Sequence, residues 1–379
     1  MSELISLDIL LEKISIGGSY TNVIIDEDLS QSYFNIFCSI IHGKDIYFYD
    51  GDQGVTYTIT KEISKDQIPN TFIKSESKIY LQTSGTTGKP KKIEQSVKRL
   101  LNGVKITPEV TNICWGFCYS TRHISGLFMI LQAIMSDSAL VDLRNLSKGE
   151  VEDRIRLFKV SHISAPSTFY RMNFPVKEKI DSMISLSNGG EPLNEDVIRN
   201  LSVSFPKAKI RNIYASTEFG SLLVAKGDAF KIPDRLLEFV MIKDNVIYVH
   251  GSLVSPSAKL EDGWYITNDR IEWIDDVSFR IVGRVTEDVK VLGHLVSLRT
   301  VEAAVNDIPQ VKIAKVSSKE HKLFGNLLIA EIVFQENAEL TKKEVKSILK
   351  TKLKDYEVPS KIKFIEQINL TDSGKLGRT

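Results

Sequence analysis

The segment with the most chemical content runs Tyr80-Leu81-Gln82-Thr83-Ser84-Gly85-Thr86-Thr87-Gly88-Lys89-Pro90-Lys91. Apolar strand-type residues lead into a run of Gly, Ser and Thr that ends in lysines. Glycine lets the backbone approach an anion closely and take φ > 0. Hydroxyls and free amides donate to phosphate oxygens, and lysine adds charge. Thr83, Ser84, Gly85, Thr86, Thr87 and Gly88 are therefore candidate phosphate contacts, with Lys91 as the charge. The loop is not a Walker A motif, which needs four residues between its first glycine and Gly-Lys, followed by Ser or Thr. Here two residues separate Gly85 from Gly88, and Pro90 follows Lys89. A flexible surface turn is the bland alternative, and the segments downstream weigh against it.

Five more segments place polar residues at turns or strand ends. They are Asn188-Gly189-Gly190-Glu191-Pro192, Tyr214-Ala215-Ser216-Thr217-Glu218, Trp264-Tyr265-Ile266-Thr267-Asn268-Asp269, Gly283-Arg284-Val285-Thr286-Glu287-Asp288-Val289-Lys290 with Gly293 beyond, and Leu370-Thr371-Asp372-Ser373-Gly374-Lys375-Leu376-Gly377-Arg378. Each is weak alone: a helix-entry turn, a strand-end turn, an exposed aspartate, an interdomain salt bridge, a frayed tail.

Taken in order, over about residues 78 to 379, they resemble the adenylate-forming superfamily of acyl-CoA synthetases, luciferases and peptide-synthetase adenylation domains. Residues 1–77 match nothing we can name. The resemblance implies ATP and Mg²⁺ as cofactors. Gly190 and Glu191 would lie beside adenine, and Tyr214 against it. Thr217 would touch the α-phosphate and Glu218 would hold Mg²⁺, since a hard cation wants carboxylate and phosphate oxygens. Asp269 would accept from the ribose hydroxyls, and Arg284 would reach ribose or phosphate. Thr286 takes the hinge position and Gly293 marks the loop used in a thiol step. Lys375 is the implied catalytic lysine. Two departures stand out: Ala215 and Asn268 replace usual glycines. Asn tolerates left-handed φ, so the second turn should survive.

Ser120-Thr121-Arg122-His123-Ile124-Ser125-Gly126-Leu127 resembles the His-x-x-Gly segment of acyl- and aryl-CoA ligases, including the o-succinylbenzoate enzyme. Amino-acid-activating relatives place an aspartate where His123 falls, which disfavours an α-amino acid. His123, Gly126 and Asn188 are the candidate acid pocket, with a structural histidine as the alternative. Arg122 would pair with a second carboxylate or simply sit on the surface. The implied acceptor is the thiol of coenzyme A or of a carrier protein's phosphopantetheine. The implied activity is ATP-dependent conversion of a small carboxylic acid to acyl-AMP with pyrophosphate release, then acyl transfer to that thiol. A nucleotide-binding module without catalysis is the alternative class.

Short β-type runs alternate with helical patterns through most of the chain, for example 78–81 as strand, 93–104 as helix and 210–214 as strand. That alternation implies a mainly parallel sheet covered by helices. Over 246–283 the runs VIYVHGS, WYITND and SFRIVG are short and close together, which predicts a small antiparallel subdomain. After Arg284 the pattern restarts as strand, helix, two strands, helix and a strand at 361–368. The expected architecture is α/β. A large N-terminal domain, 1–285, binds nucleotide and acid, and a small mobile α+β domain, 286–379, carries Lys375. Relatives place the phosphate loop well beyond residue 100, so the N-terminal region reads as truncated. A homodimer is one way to close a pocket opened by that loss.

Composition excludes other classes. A net charge of +1 over 379 residues gives no field for nucleic acid or a membrane surface. The lysine run 342–354 reads as a solvated helix face, with docking of an acidic partner as the alternative. Three cysteines, Cys38, Cys114 and Cys118, suit a reducing compartment and read as core thiols. The acidic start of the chain lacks a signal-peptide pattern, and 126–134 is too short to span a bilayer, so a cytoplasmic location is expected.

Overall fold

The computed structural model describes residues 4–24, 28–48, 55–83, 91–104, 112–321, 325–368 and 376. For Thr83, Lys91 and Thr286 the backbone alone is described.

The largest sheet has seven strands in the spatial order Leu4–Ile5, Ala139–Asp142, Cys114–Phe117, His162–Ala165, Ser185–Gly189, Lys209–Ser216, Gly220–Ala225. The five middle strands are parallel, and the two edge strands run antiparallel to them. Parallel neighbours need crossovers, and helices Ile124–Met135, Lys148–Leu157, Ser167–Asn173 and Glu195–Ser204 supply them. Alternation along the strands splits the core in two. Leu140 packs with the helices Leu29–Ile41 and Ile124–Met135 on one face, while its neighbour Val141 packs with Ile155, Val197 and Leu201 on the other.

A second sheet, of four antiparallel strands, comprises Val240–Lys243, Val246–His250, Trp264–Trp273 and Phe279–Arg284, as the short spaced runs imply. From Asp288 onward the chain builds a third sheet with its own apolar core, including Val301, Val316, Ile332 and Leu349. Its last strand is Lys361–Phe364, shorter than the sequence pattern suggests.

One predicted element changes type. The 93–104 segment is a strand, Lys91–Ser96, before it is a helix, Val97–Leu101. The strand pairs antiparallel with Lys78–Thr83, setting Thr83 opposite Lys91. Ile93, Gln95 and Val97 are all buried, a period of two that favours the ladder. Ser96 then accepts from the Arg99 amide at 3.2 Å and starts the helix.

The three cysteines are buried. Burial pushes the Cys114 thiol up to about 11 and Cys38 up to about 12, and it raises Cys118 well above the ordinary value. They are core thiols, as read from the sequence. Among the described residues no helix is long and apolar enough to cross a membrane.

Candidate active site

In an open parallel sheet, ligands bind beyond the carboxyl ends of the strands. Four such ends converge here. His123 lies past Phe117, Ser167 and Thr168 past Ala165, Gly190 and Glu191 past Gly189, and Thr217 and Glu218 past Ser216. Candidates far apart in sequence thus share one edge of the sheet.

The second sheet brings Asp269 to that edge. Between the pairs Tyr248↔Ile266 and Val246↔Arg270, a single residue, Ile247, faces three. Such a bulge re-aims a side chain. Asn268 takes φ +59°, the left-handed turn that the sequence requires of it. Thr267 Oγ1 donates to the Ile247 carbonyl at 2.8 Å and accepts from the Asp269 amide at 3.0 Å. Asp269 is therefore held inward, 6% exposed.

Arg284 stands directly across the ladder from Asp269, and its Nε donates to Asp269 Oδ1 at 2.9 Å. Tyr214 donates from its hydroxyl to Oδ2 at 2.6 Å. Burial, then the Asp269 charge, raises the Tyr214 phenol well above its ordinary value, so it remains a donor. These residues and Gly190, Glu191 and Ala215 line one cavity of about 600 Å³. That falls within the range of roughly 300–1,000 Å³ typical of small-ligand sites. Phe230, packed edge-on to Tyr214, adds an apolar wall.

Glu218 sits in the turn after Ser216, whose hydroxyl accepts from the amides of Glu218 and Phe219 at 3.1 and 3.3 Å. Burial, followed by the negative charge of Glu218, holds the nearby Tyr265 phenol above its ordinary value. Gln95 Nε2 donates to the Thr217 carbonyl at 2.7 Å, and the Ser255 amide donates to the Glu218 carbonyl at 2.7 Å. The strand that leaves the phosphate-loop segment is thereby fastened to the Thr217-Glu218 turn. Residues 84–88 and Lys375 lie outside the described residues.

The acid-pocket candidates are more scattered. His123 flanks the start of the helix Ile124–Met135 and is half-buried. Asn188 is 1% exposed, and its amide donates to the Glu191 carbonyl at 2.7 Å and to Asn212 Oδ1 at 3.0 Å. Neither lines the 600 Å³ cavity. Gly126 has a packing reason: a Cβ there would lie 2.1 Å from the Ser120 carbonyl oxygen. Backbone cannot retreat as a flexible side chain can. Gly126→Ala should lower unfolding free energy by about 3 kcal/mol or more, read from urea melts. A melt within about 0.5 kcal/mol of the parent would refute this contact.

Thr286 lies in the turn Val285–Glu287. Gly293, at φ +85°, forms with Leu292 the tip of a hairpin between Asp288–Val291 and His294–Ser297. This tip is exposed. Arg299 pairs with Glu287 at 2.6 Å, and Arg270 of the second sheet pairs with Asp288 of the third. Sequence reasoning missed Tyr265, a variable position inside its motif. It also missed Gln95, whose signal was a polar residue on the buried face of a strand.

Residues 31–237 match the family described as AMP-binding enzyme, so the likeness reaches back to residue 31, into a region whose sequence carries no motif we could name, and residues 300–375 match the AMP-binding enzyme C-terminal domain. The chain belongs to this family, whose members here are adenylate-forming synthetases and ligases. It is 24% identical over 367 residues to bacitracin synthase 3 of Bacillus licheniformis, covering 84% of this chain and 6% of that one. It is 25% identical over 341 residues to 4-coumarate–CoA ligase 3 of Oryza sativa subsp. japonica, covering 78% and 62%. The chain thus spans less than two thirds of either relative's length. Among solved structures, the o-succinylbenzoate CoA synthetase MenE of Bacillus subtilis with its acyl-adenylate gives a TM-score of 0.59 at 21% identity, covering 79% of this chain and 67% of that one. The anthranilate CoA ligase AuaEII with anthranoyl-AMP gives 0.65 at 17%, covering 84% and 68%. MenE has also been solved with ATP and magnesium ion. These likenesses share the α/β fold: a large parallel sheet with antiparallel sheets beside it.

Proposed function

We propose that the chain activates a carboxylic acid with ATP, forming acyl-AMP and pyrophosphate, and then transfers the acyl group to the thiol of coenzyme A or of a carrier-protein phosphopantetheine. The observation that carries this reading is the single cavity shared by Gly190, Tyr214, Asp269 and Arg284, four residues from segments that the sequence keeps far apart.

A carboxylate oxygen attacking the α-phosphate brings two anions together, so the site must concentrate positive charge and donors. Lys91, Lys375 and the 84–88 donors supply these in our reading. Asp269 and Arg284 orient the ribose, and Tyr214 with Phe230 flanks the base. Glu218 suits Mg²⁺: it is a carboxylate, in a turn that the Ser216 hydroxyl fixes through the Glu218 amide. Among the described residues no group of three or more His, Cys, Asp or Glu side chains could hold a metal. Mg²⁺ would therefore take most of its ligands from phosphate and water, its usual habit with nucleotides. When bound it neutralises phosphate charge. Alignment of acid and nucleotide contributes further, since effective molarities reach roughly 10⁵–10⁸ M.

In this reading residues 286–379 turn about Thr286, taking Lys375 away and presenting the Gly293 tip for the thiol step. Acid-dependent pyrophosphate release across a panel of carboxylic acids, with mass spectrometry for the acyl-AMP, tests the proposal. Acyl-AMP with one class of acid supports it. Nucleotide binding without turnover for any acid would favour the non-catalytic module.

A further inference from the structure

Glu191 is used in an unexpected way. The helix Ser167–Asn173 begins after Pro166, which has no side chain able to cap it. Glu191 does so from a neighbouring strand end. Its Oε2 accepts from the Thr168 amide at 2.8 Å and from Ser167 Oγ at 3.1 Å, and its Oε1 accepts from Thr168 Oγ1 at 3.0 Å. The fourth donor is the backbone amide of Leu376, at 3.2 Å from Oε1. An ionised carboxylate offers about four acceptor positions. All four are filled from within the chain, so this carboxylate is committed to holding two segments together.

Leu376 follows Lys375 in the chain. A small cleft, lined by Ser167, Thr168, Glu191, Arg299, Asn306 and Leu376, lies where the third sheet's flank meets the large sheet. We propose that Glu191 is a positioning residue: it holds Leu376, the residue after Lys375 in the chain, through its backbone amide and so selects the arrangement for acid activation. The proposal rests on the reading above, because it assigns the docked state to the first half-reaction. Release of that one amide leaves the helix cap intact, so the contact can break and reform without unfolding either partner.

Two measurements test it. The first needs no activity. Trypsin cuts after Lys375, and the amide beyond that bond is the docked one. Loss of residues 376–379, followed by mass spectrometry, should be about tenfold faster in Glu191→Ala than in the parent, as expected for a charge-assisted hydrogen bond. Ser167→Ala, which weakens the same cap but leaves the Leu376 contact, should be nicked at the parental rate. Equal rates in the parent and Glu191→Ala would overturn the proposal. The second is a double-mutant cycle on pyrophosphate release with Glu191→Ala and Leu376→Pro, the latter deleting the amide hydrogen. Each single change should slow release about tenfold, and the double should be no slower than the worse single. Additive losses would mean that the two groups act separately and would end the inference. If no acid releases pyrophosphate from the parent protein, the functional reading fails while the nicking comparison still decides the docking contact.

Discussion

Lys375→Ala should release pyrophosphate about 10²–10³-fold more slowly than the parent, the loss typical when one donor to developing charge is removed. Thioester formation from acyl-adenylate supplied in the assay should stay within about twofold of the parent, because the proposed mechanism gives the lysine no part in that step. The asymmetry is the point of the experiment. A lysine that merely braced the fold would depress both half-reactions together. Quenched-flow measurement of each half-reaction decides the matter, and parallel losses would refute a first-step role.

Asp269→Ala should be costly for both stability and nucleotide affinity. Its carboxylate is buried and holds two donors, the Tyr214 hydroxyl and the Arg284 guanidinium. Removing it strands both. Arg284 remains 39% exposed on its side chain, so water recovers part of the loss. We therefore expect about 2–3 kcal/mol in unfolding free energy, below the range for fully buried pairs. The KM for ATP should rise well beyond what Asp269→Asn causes, since asparagine keeps an acceptor for the Tyr214 hydroxyl. Urea melts and steady-state kinetics on the same preparations give both numbers. An unchanged melt would mean that the Tyr214–Asp269–Arg284 contacts carry little energy, and an unchanged KM would remove Asp269 from the nucleotide site.

The parts of this fold legible in the sequence are those with local signals. The parallel sheet, the antiparallel subdomain and the restart after Arg284 all follow from periodicity and breakers. Asn268 could be read as a left-handed residue because its side chain tolerates that conformation, and φ +59° agrees. The helix over 93–104 was misread because Gln95 interrupts the apolar run. The period of two through Ile93, Gln95 and Val97 is the local trace, but the partner that lets Gln95 be buried, the Thr217 carbonyl, is a tertiary fact. Tyr265 stayed hidden for a related reason: a tyrosine on a strand is ordinary until the fold brings the charge of Glu218 near it. Glu191 is the sharpest case. Its motif pointed to adenine, whereas its carboxylate is spent on Ser167, Thr168 and Leu376, which lie 24, 23 and 185 residues away.

The order of strands in the large sheet has a bearing on how the site comes into being. The edge that carries the candidate residues is assembled from chain positions spanning residues 123 to 218, with Asp269 added from a separate sheet. No short contiguous fragment contains the whole of that edge. Contacts so distant along the chain form late and slowly in folding. If the proposed site is right, affinity for nucleotide should accordingly emerge as one cooperative event, absent from partly folded species and complete once the sheets have closed upon each other.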